Sequence, residues 1–364
     1  MKMNEEKSCC CSAGDCCAGD SITPYDKKDT WVTGEIRTPQ GGVPVASTKL
    51  QFKDTLGAWK MRWGIGRMDY KINPGLYAVG NPDHTSPVLV SANYKLTFDT
   101  LRKELSGVNC WILILDTKGI NIWCAAGKGT FGTDELVGRI SKTGLSEIVS
   151  HRKIVLPQLG APGVSAHEVT RQTGYSVIYG PVRARDIKVF LAAGFKATEE
   201  MRTVKFTAWD RLVLTPVELV AAAKTSLMVF GILFLINLFA ARLFGLADFI
   251  AYAGVVVTGT VVTPVLLPII PGKAFAWKGW LLGAIWTAWI IWLNGWFAPE
   301  FLLLAIGYLL VLPSFSAFLA MNFTGSSTYT SFSGVIKEMK VAVPLIALSS
   351  AAGIVLVLIK SLWA

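Results

Sequence analysis

Charged residues are scarce in the second half of this chain, and their scarcity is the first clue to its organisation. The 364 residues carry a formal net charge of +10, and 52% are hydrophobic. Up to about residue 211, charges, glycine and proline are mixed with apolar residues, whereas the chain after Ser226 is nearly free of charge. A water-soluble helical core is disfavoured, because no amphipathic face lies between successive apolar stretches.

Five apolar segments are predicted to span a membrane, since about 18 apolar residues suffice for a spanning helix. They are 226–244, 249–270, 280–298, 301–323 and 341–359. None holds Asp, Glu or His in its interior, which excludes a charged ion path and favours an anchor. The sequence therefore predicts a linker over 211–225 and a five-helix transmembrane domain over 226–364.

Lysine and arginine near the segment ends predict the orientation. The side of the membrane that holds the N-terminal domain has eight of them: Arg202, Lys205, Arg211, Lys224, Lys273, Lys278, Lys337 and Lys340. The opposite side has Arg242 and Lys360. The positive-inside rule places the N-terminal domain in the cytoplasm of a cell whose inner membrane the protein crosses, with the C-terminus on the outer side.

Several common motifs are missing. No GxGxxG directly follows a predicted strand and no GxxxxGK[ST] occurs, so dinucleotide and P-loop sites have no support. The three histidines lack metal-ligand spacing, and no ferredoxin-type iron–sulfur motif is present. Neither zinc-finger spacing nor a basic–aromatic pattern appears, so we expect no nucleic-acid partner.

Residues 45–210 alternate predicted strands and helices. The strands are 88–91, 111–115, 120–123, 153–156 and 177–179; the helices are 97–105, 134–140, 165–173 and 184–193. This alternation predicts a doubly wound, Rossmann-like α/β domain that binds its ligand at the carboxyl ends of the strands. Loops at three such ends are rich in small residues and backbone donors, which suits a large, flat ligand decorated with amides. They supply Asn93, Gly160 and Gly180 as candidate binding residues.

Cys124 lies in the run NIWCAAGKG, which follows an apolar strand. A thiol on the first turn of a helix at the carboxyl edge of a sheet is placed to act as a thiolate ligand or nucleophile. The alternative is a buried cysteine that packs as a small hydrophobe.

Five more cysteines lie in the polar run CCCSAGDCCAGD of a flexible tail predicted over residues 1–44. They are Cys9, Cys10, Cys11, Cys16 and Cys17. In a reducing cytoplasm they are thiols that could bind soft ions such as Hg(II), and the alternative is an incidental cluster in a disordered tail.

Two runs resemble a known family. SANYKLTFDTLRKEL from Ser91 and WILILDTKGINIWCAAGKGTFGT from Trp111 are similar to the corrinoid-binding domain of the acetyl-CoA-pathway corrinoid iron–sulfur protein, large subunit. NIWCAAGK more closely resembles the cap-helix motif of the corrinoid protein family of microbial mercury methylation. That family also joins its corrinoid domain to five membrane helices.

The resemblance implies a cobalamin-type corrinoid, bound base-off over the strand ends with the Cys124 thiolate on cobalt. The cofactor-binding residues it implies at the cap helix are Asn121, Trp123, Cys124, Ala125, Ala126, Gly127 and Lys128. The implied activity is transfer of a methyl group from methyl-cobalt to Hg(II), which gives methylmercury. A ferredoxin-like protein with two [4Fe–4S] clusters would donate electrons, and a methyltetrahydrofolate-linked protein would donate the methyl group.

Two alternatives remain open. The chain could be a corrinoid methyl carrier of one-carbon metabolism, for which a cap-helix cysteine is unnecessary. It could also be a membrane transporter or sensor with a soluble ligand-binding domain, which predicts a purified protein without corrinoid.

Overall fold

The computed structural model of the protein describes residues 22–25, 29–239 and 244–362. It divides into two compact units, one of residues up to 61 together with 66–204, and one of 62–65 together with 205–364. The first unit contains a β-sheet with helices on both faces, and the second consists of apolar helices. The predicted succession of an α/β region and a helical region is confirmed.

Among the residues described, seven strands form one mixed sheet in the order β1-β2-β3-β5-β4-β6-β7. They are β1 (Val32–Thr38), β2 (Gly41–Ala46), β3 (Gly75–Val79), β4 (Val88–Ala92), β5 (Cys110–Leu115), β6 (Lys153–Leu156) and β7 (Ser176–Tyr179). Strands β5, β4, β6 and β7 are parallel, whereas β3 is antiparallel to β5. Because these parallel strands are buried on both sides, they read as continuous apolar runs.

In the part of the first unit that the structure describes, eight α-helices lie within the unit or end at its border. They are α1 (Phe52–Arg62), α2 (Lys95–Glu104), α3 (Ile122–Gly127), α4 (Thr133–Lys142), α5 (Leu145–Ile148), α6 (Ala166–Thr173), α7 (Ile187–Ala192) and α8 (Glu199–Arg202). Helices α3 to α6 pack on one face of the sheet, and α2 and α7 pack on the other. The sheet is therefore wound on both sides, as the alternating pattern predicts.

Two sequence expectations need correction. The sheet begins at Val32, and the expected start of the α/β domain at residue 45 falls inside β2. Strand β1 escapes detection because it is an edge strand with polar residues. The predicted strand over 120–123 is wrong: Ile122 begins helix α3, because the Asn121 side chain caps this turn.

A buried ion network fixes helices α1 and α2. Lys95 Nζ lies 2.8 Å from Asp54 Oδ1 and 2.7 Å from Asp99 Oδ2, and Arg102 pairs with both carboxylates at 2.8 Å. Arg102 is fully buried and also donates to the Lys49 carbonyl oxygen at 3.2 Å. Every charge in the network has an opposite partner, as burial requires.

The described residues of the second unit form seven α-helices. They are α9 (Ala208–Leu212), α10 (Thr215–Phe239), α11 (Leu246–Val257), α12 (Thr263–Leu266), α13 (Phe275–Leu293), α14 (Leu302–Asn322) and α15 (Phe332–Leu362). Among the described residues, four stretches are long and apolar enough to cross a membrane: Ala208–Leu238, Leu246–Leu266, Pro299–Ser326 and Ser333–Lys360. Helix α13 lies at the third predicted position, and its five tryptophans and Lys278 lower its hydropathy. The helical, membrane-compatible character is confirmed, whereas the count of five spans stays a prediction.

Small residues let α13 and α14 approach closely. A Cβ added at Gly279 would lie 2.7 Å from the Ser316 carbonyl oxygen, and one at Gly283 would lie 2.7 Å from Ser316 Cβ. Backbone contact of this kind replaces the hydrophobic effect as the source of packing between helices in lipid.

A π-helical segment, Thr258–Val262, separates α11 from α12. Just beyond it, the buried Arg211 donates from Nη2 to the Val265 carbonyl oxygen at 2.8 Å. Ile269, the residue that an α-helix would pair with Val265, donates instead to the Leu266 carbonyl oxygen. Arg211 thus satisfies a carbonyl group that the helix leaves free.

Candidate functional site

The site is built on the loop that joins β5 to α3. Its centre is Asn93, which follows β4 and is buried; its Oδ1 accepts from Thr117 N at 3.1 Å, Thr117 Oγ1 at 2.9 Å and Gly119 N at 3.0 Å. Asn93 Nδ2 donates to Asp116 Oδ1 at 3.1 Å. One side chain therefore ties the carboxyl ends of β4 and β5 together and fixes the path into α3.

Asp116 holds the first half of this loop. Its backbone N–H donates to Glu135 Oε1 on α4 at 2.8 Å, and its own Oδ1 accepts from Lys118 N at 3.1 Å. Partial burial acts to raise the pKa of Asp116, but hydrogen bonds from Lys118 and Asn93 outweigh burial and lower it below its ordinary value. The loop is thus organised around an ionised carboxylate.

Helix α3 begins on a side-chain cap. Asn121 has extended backbone angles, and its Oδ1 accepts from the Cys124 N–H at 2.9 Å. The Cys124 amide is fixed by the residue three positions earlier, which sets the direction in which the side chain leaves the helix. The predicted position of Cys124, on a first helical turn at the carboxyl edge of the sheet, is confirmed.

The two faces of α3 differ. Ala125 and Ala126 are buried in the core, whereas Trp123, Gly127 and Lys128 are exposed. Apart from its chain neighbours and the backbone of α3, no atom of the described residues lies within 4 Å of the place where a Cβ at Gly127 would be. Cys124 is half-buried at the border between these faces. The helix therefore presents a thiol, an indole and an open backbone on one side.

A second loop, which follows β6, packs against the buried side of α3. The 3₁₀ turn Gln158–Gly163 packs against the helix, and a Cβ at Gly163 would lie 3.0 Å from Ala126 Cα and 2.2 Å from the Phe131 carbonyl oxygen. At Gly160 a Cβ would lie 2.4 Å from the Phe131 ring. These glycines are needed for packing within the chain, and a side chain at either would displace α3 or Phe131.

The sequence-predicted residues do not all converge. Asn93, the residues of α3 and the turn containing Gly160 lie around the carboxyl ends of β4, β5 and β6. Gly180 donates to the Leu156 carbonyl oxygen at 2.7 Å, and a Cβ there would lie 2.9 Å from Val155, on the other face of the sheet. Its role in cofactor binding stays a prediction, as do those of Asn93 and Gly160.

Sequence reasoning missed several residues that shape this site, namely Asp116, Thr117, Phe131, Glu135 and Gln158. An Asp-Thr-Lys-Gly turn directly after a strand is a recognisable loop signal that could have revealed the first two. Gln158 Oε1 is buried without a hydrogen-bond partner among the described residues. An acceptor left in this state at a strand end is a candidate ligand contact.

The run GKGTFG over 127–132 matches the pattern GxGxxG. In the structure it follows helix α3 instead of a strand. Gly129 has a φ of +79°, and a Cβ at Gly132 would lie 2.7 Å from the Gly129 carbonyl oxygen. The glycines therefore serve the tight return from α3 to α4.

The second described cysteine differs from Cys124 in every respect. Cys110 begins β5, is buried among apolar side chains, and burial raises the pKa of its thiol to about 12. The five N-terminal cysteines lie outside the described residues. Within the described ranges, no group of three or more His, Cys, Asp or Glu side chains is arranged to hold a metal ion. A metal bound in the described part of this unit would therefore depend on ligands other than such a side-chain cluster.

Comparison with known proteins connects this unit to a family. Residues 66–191 match CdhD, described as CO dehydrogenase/acetyl-CoA synthase delta subunit. The acetyl-CoA decarbonylase/synthase complex subunit gamma of Methanocaldococcus jannaschii is 34% identical over 127 residues, which cover 34% of this chain and 26% of that protein. The same subunit of Methanopyrus kandleri is 32% identical over 127 residues, covering 34% and 27%.

That of Archaeoglobus fulgidus is 31% identical over 135 residues, covering 36% of this chain and 28% of the relative. This chain therefore spans about a quarter of the length of these curated relatives. The family match begins at residue 66 and ends at 191, so it contains β3 to β7, the Asn93 loop and α3. The expected link of the α/β unit to acetyl-CoA-pathway proteins is confirmed.

Proposed function

We propose that this protein is a membrane-bound corrinoid protein that transfers a methyl group to Hg(II), and that the Cys124 thiolate would hold the cobalt. The observation that carries the proposal is the placement of Cys124. It is a free, half-buried thiol whose backbone N–H is held by Asn121, beside an exposed indole and an open glycine. A lone packing cysteine needs none of these arrangements.

The surroundings fit a corrinoid. The rim of that ligand carries carboxamide groups, which can donate hydrogen bonds, and Gln158 Oε1 is a buried acceptor without a partner among the described residues. The turn that contains Gln158 packs on α3, so the acceptor and the thiol belong to the same side of the sheet. Gly127 and Lys128, which are exposed beyond Cys124, leave room for a flat ligand.

When bound, the corrinoid would supply a cobalt centre able to take up and release a methyl group. The task of this chain would be to hold one thiolate in a fixed direction, because a soft, strongly donating ligand tunes the reactivity of the metal it binds. Asn121 fixes the Cys124 amide, and Asn93 fixes the loop before it. Gly163 and Phe131 close the space beneath α3, so the helix cannot retreat from its ligand.

The remaining components follow from the same proposal. A ferredoxin-like protein with two [4Fe–4S] clusters would return electrons, and a methyltetrahydrofolate-linked protein would supply methyl groups. The N-terminal cysteines would capture Hg(II), for which thiolates are suitable ligands. The C-terminal helices, including α13 as a fifth span, would anchor the protein in the cell membrane with the α/β unit in the cytoplasm.

The decisive experiment compares the wild-type protein, Cys124→Ala and the matched control Cys110→Ala after reconstitution with cobalamin. We expect the visible spectrum of the wild type to show thiolate coordination, the Cys124 variant to lose that signature, and the Cys110 variant to keep it. Methylmercury formation from added Hg(II) should fall at least about 100-fold in Cys124→Ala, the loss typical when a direct ligand or catalytic group is removed. Identical spectra of the wild type and Cys124→Ala would contradict the proposal.

A second candidate is a methyl carrier of one-carbon metabolism, and the similarity to acetyl-CoA decarbonylase/synthase gamma subunits favours it. The two functions differ in their need for a thiolate. A one-carbon carrier should transfer its methyl group to a non-mercury acceptor equally well in the wild type and in Cys124→Ala. Retention of that transfer, together with wild-type methylation of Hg(II) by the variant, would favour the carrier.

A further inference from the structure

Helix α1 buries a charged residue and exposes large apolar residues, which is the reverse of the usual arrangement in a soluble domain. Its side toward the domain contains Asp54 and Met61, which are 6% and 5% exposed. Gly57 lies between them, where a Cβ would approach the Tyr70 hydroxyl to 2.3 Å. The outward side contains Phe52, Leu56 and Trp59, which are 82%, 41% and 65% exposed.

The outward residues form a continuous stripe. They are spaced at i, i+4 and i+7, so at about 100° per residue they fall within about 60° of the helix surface. We call these three residues the α1 stripe. The ion pairs from Asp54 to Lys95 and Arg102 hold the helix with this stripe outward. An exposed apolar stripe of this kind marks an interaction site, because its burial against an apolar surface outside the domain is favourable.

Two lysines border the stripe. Lys53 and Lys60 are exposed, and both fall beside Leu56 on the helix surface, between the stripe and the buried side. Aromatic side chains next to basic ones are the composition of helices that lie in a membrane surface, where rings enter the headgroup region and lysines meet anionic lipids.

We propose that α1 docks the α/β unit onto an anionic lipid surface through the α1 stripe, with Lys53 and Lys60 against the headgroups. The same chain contains four helices able to cross a membrane, which keep the first unit within reach of a bilayer. The inference goes beyond methyl transfer, and it rests on the proposed membrane insertion of those helices.

The test uses the full chain, reconstituted as single copies in nanodiscs of phosphatidylethanolamine and phosphatidylglycerol. Hydroxyl-radical oxidation of Trp59 is compared with that of Trp123, which is 39% exposed and lies on α3. Without docking, Trp59 should be oxidised faster than Trp123, because more of its side chain faces water. With docking, we expect Trp59 to be oxidised severalfold more slowly than Trp123.

Variants identify the surface that protects Trp59. The pair Lys53→Glu/Lys60→Glu should restore oxidation of Trp59, whereas the matched pair Lys188→Glu/Lys196→Glu, on exposed lysines elsewhere in the unit, should not. Protection that is unchanged in Lys53→Glu/Lys60→Glu and in phosphatidylcholine nanodiscs would overturn lipid docking and indicate a protein surface. Fast oxidation of Trp59 in a reconstituted chain would overturn the docking alone, and failure to reconstitute would overturn membrane insertion as well.

Discussion

The two cysteines described in the α/β unit lie near opposite ends of strand β5. Cys110 begins β5, where the thiol is surrounded by Leu105, Ile112 and other apolar side chains. Cys124 follows the other end of β5, where Asn93 and Asp116 organise a polar loop and Asn121 caps a short helix. The same side chain is thus a packing group at the amino end and an accessible donor at the carboxyl end.

This difference shows how a fold assigns chemistry to a residue type. In an open α/β sheet, ligands bind outside the carboxyl ends of the strands. The amino end of β5 in this chain is closed, because it is packed among apolar side chains. The thiol at the closed end is kept protonated, since burial raises the pKa of Cys110 to about 12. Only the thiol at the open end can serve as a ligand without unfolding the sheet.

The largest expected effect is on thiol alkylation. In the folded protein, Cys124 should react with a maleimide while Cys110 reacts only after the sheet opens. Global opening of a domain costs about 5 kcal/mol or more, so the rates should differ by roughly four orders of magnitude. Peptide mass spectrometry assigns each adduct, and denaturant provides the control in which both thiols react. Comparable rates in native buffer would break the comparison.

The next effect concerns the network that holds the helices near the open end. Arg102→Met should lower the free energy of unfolding by about 3–5 kcal/mol, because Asp54 and Asp99 lose a fully buried partner. The matched control is Arg139→Met, which removes a less completely buried pair with Glu135 (the two side chains are 12% and 25% exposed) and should cost less, about 1 kcal/mol. Denaturant unfolding of all three proteins measures both values.

The same network has a pH signature. Although burial acts to raise the pKa of Asp54, hydrogen bonds and charge from Lys95 and Arg102 lower it on balance. Its contribution is therefore present above the pKa of an unfolded aspartate and is lost as the pH falls through the lower folded pKa. Arg102→Met should weaken this loss in acid, and an unchanged acid profile would argue against the network as its source.

A smaller effect is expected at Asn93. Replacement by alanine leaves the buried Gly119 N–H without its acceptor and removes one of the two acceptors of the Thr117 N–H, so it should cost about 2–3 kcal/mol. Asn93→Asp keeps the acceptor but sets a second carboxylate beside Asp116, so it should also weaken the loop. If Asn93 positions α3, both variants should change the cobalamin spectrum, whereas Cys110→Ala should change stability without changing the spectrum.

Much of the fold could be predicted, because its strands differ sharply in composition from their surroundings. Strand β6 appears at the predicted residues, and β4, β5 and β7 differ by one residue at an end. The edge strand β1 could not be recognised, since its polar residues face solvent and carry no apolar signal. Strand β2, which pairs with β1, was not predicted either. The predicted start of the α/β domain at residue 45 was wrong for that reason.

The candidate site was predictable only in part. Asn121 and Cys124 lie three residues apart at the start of a helix, so the local sequence is enough to predict that one caps the turn that contains the other. The support from Phe131 and Gly163 depends on a contact between distant segments, which no local pattern encodes. The same is true of Asn93, whose amide reaches the next strand. Its motif suggested a ligand contact, whereas the structure gives it a buried position within the loop.

The π-helical segment at Thr258–Val262 affects where the apolar region can tolerate the insertion or deletion of a residue. A π turn holds about one residue more than an α turn, so deletion of one residue inside it would restore regular winding. The later residues would keep their faces, and the Val265 carbonyl group would still meet Arg211. A deletion in the regular part of α11 would instead rotate everything after it by about 100°. Insertions and deletions that survive in descendants of this protein should therefore cluster at this one turn.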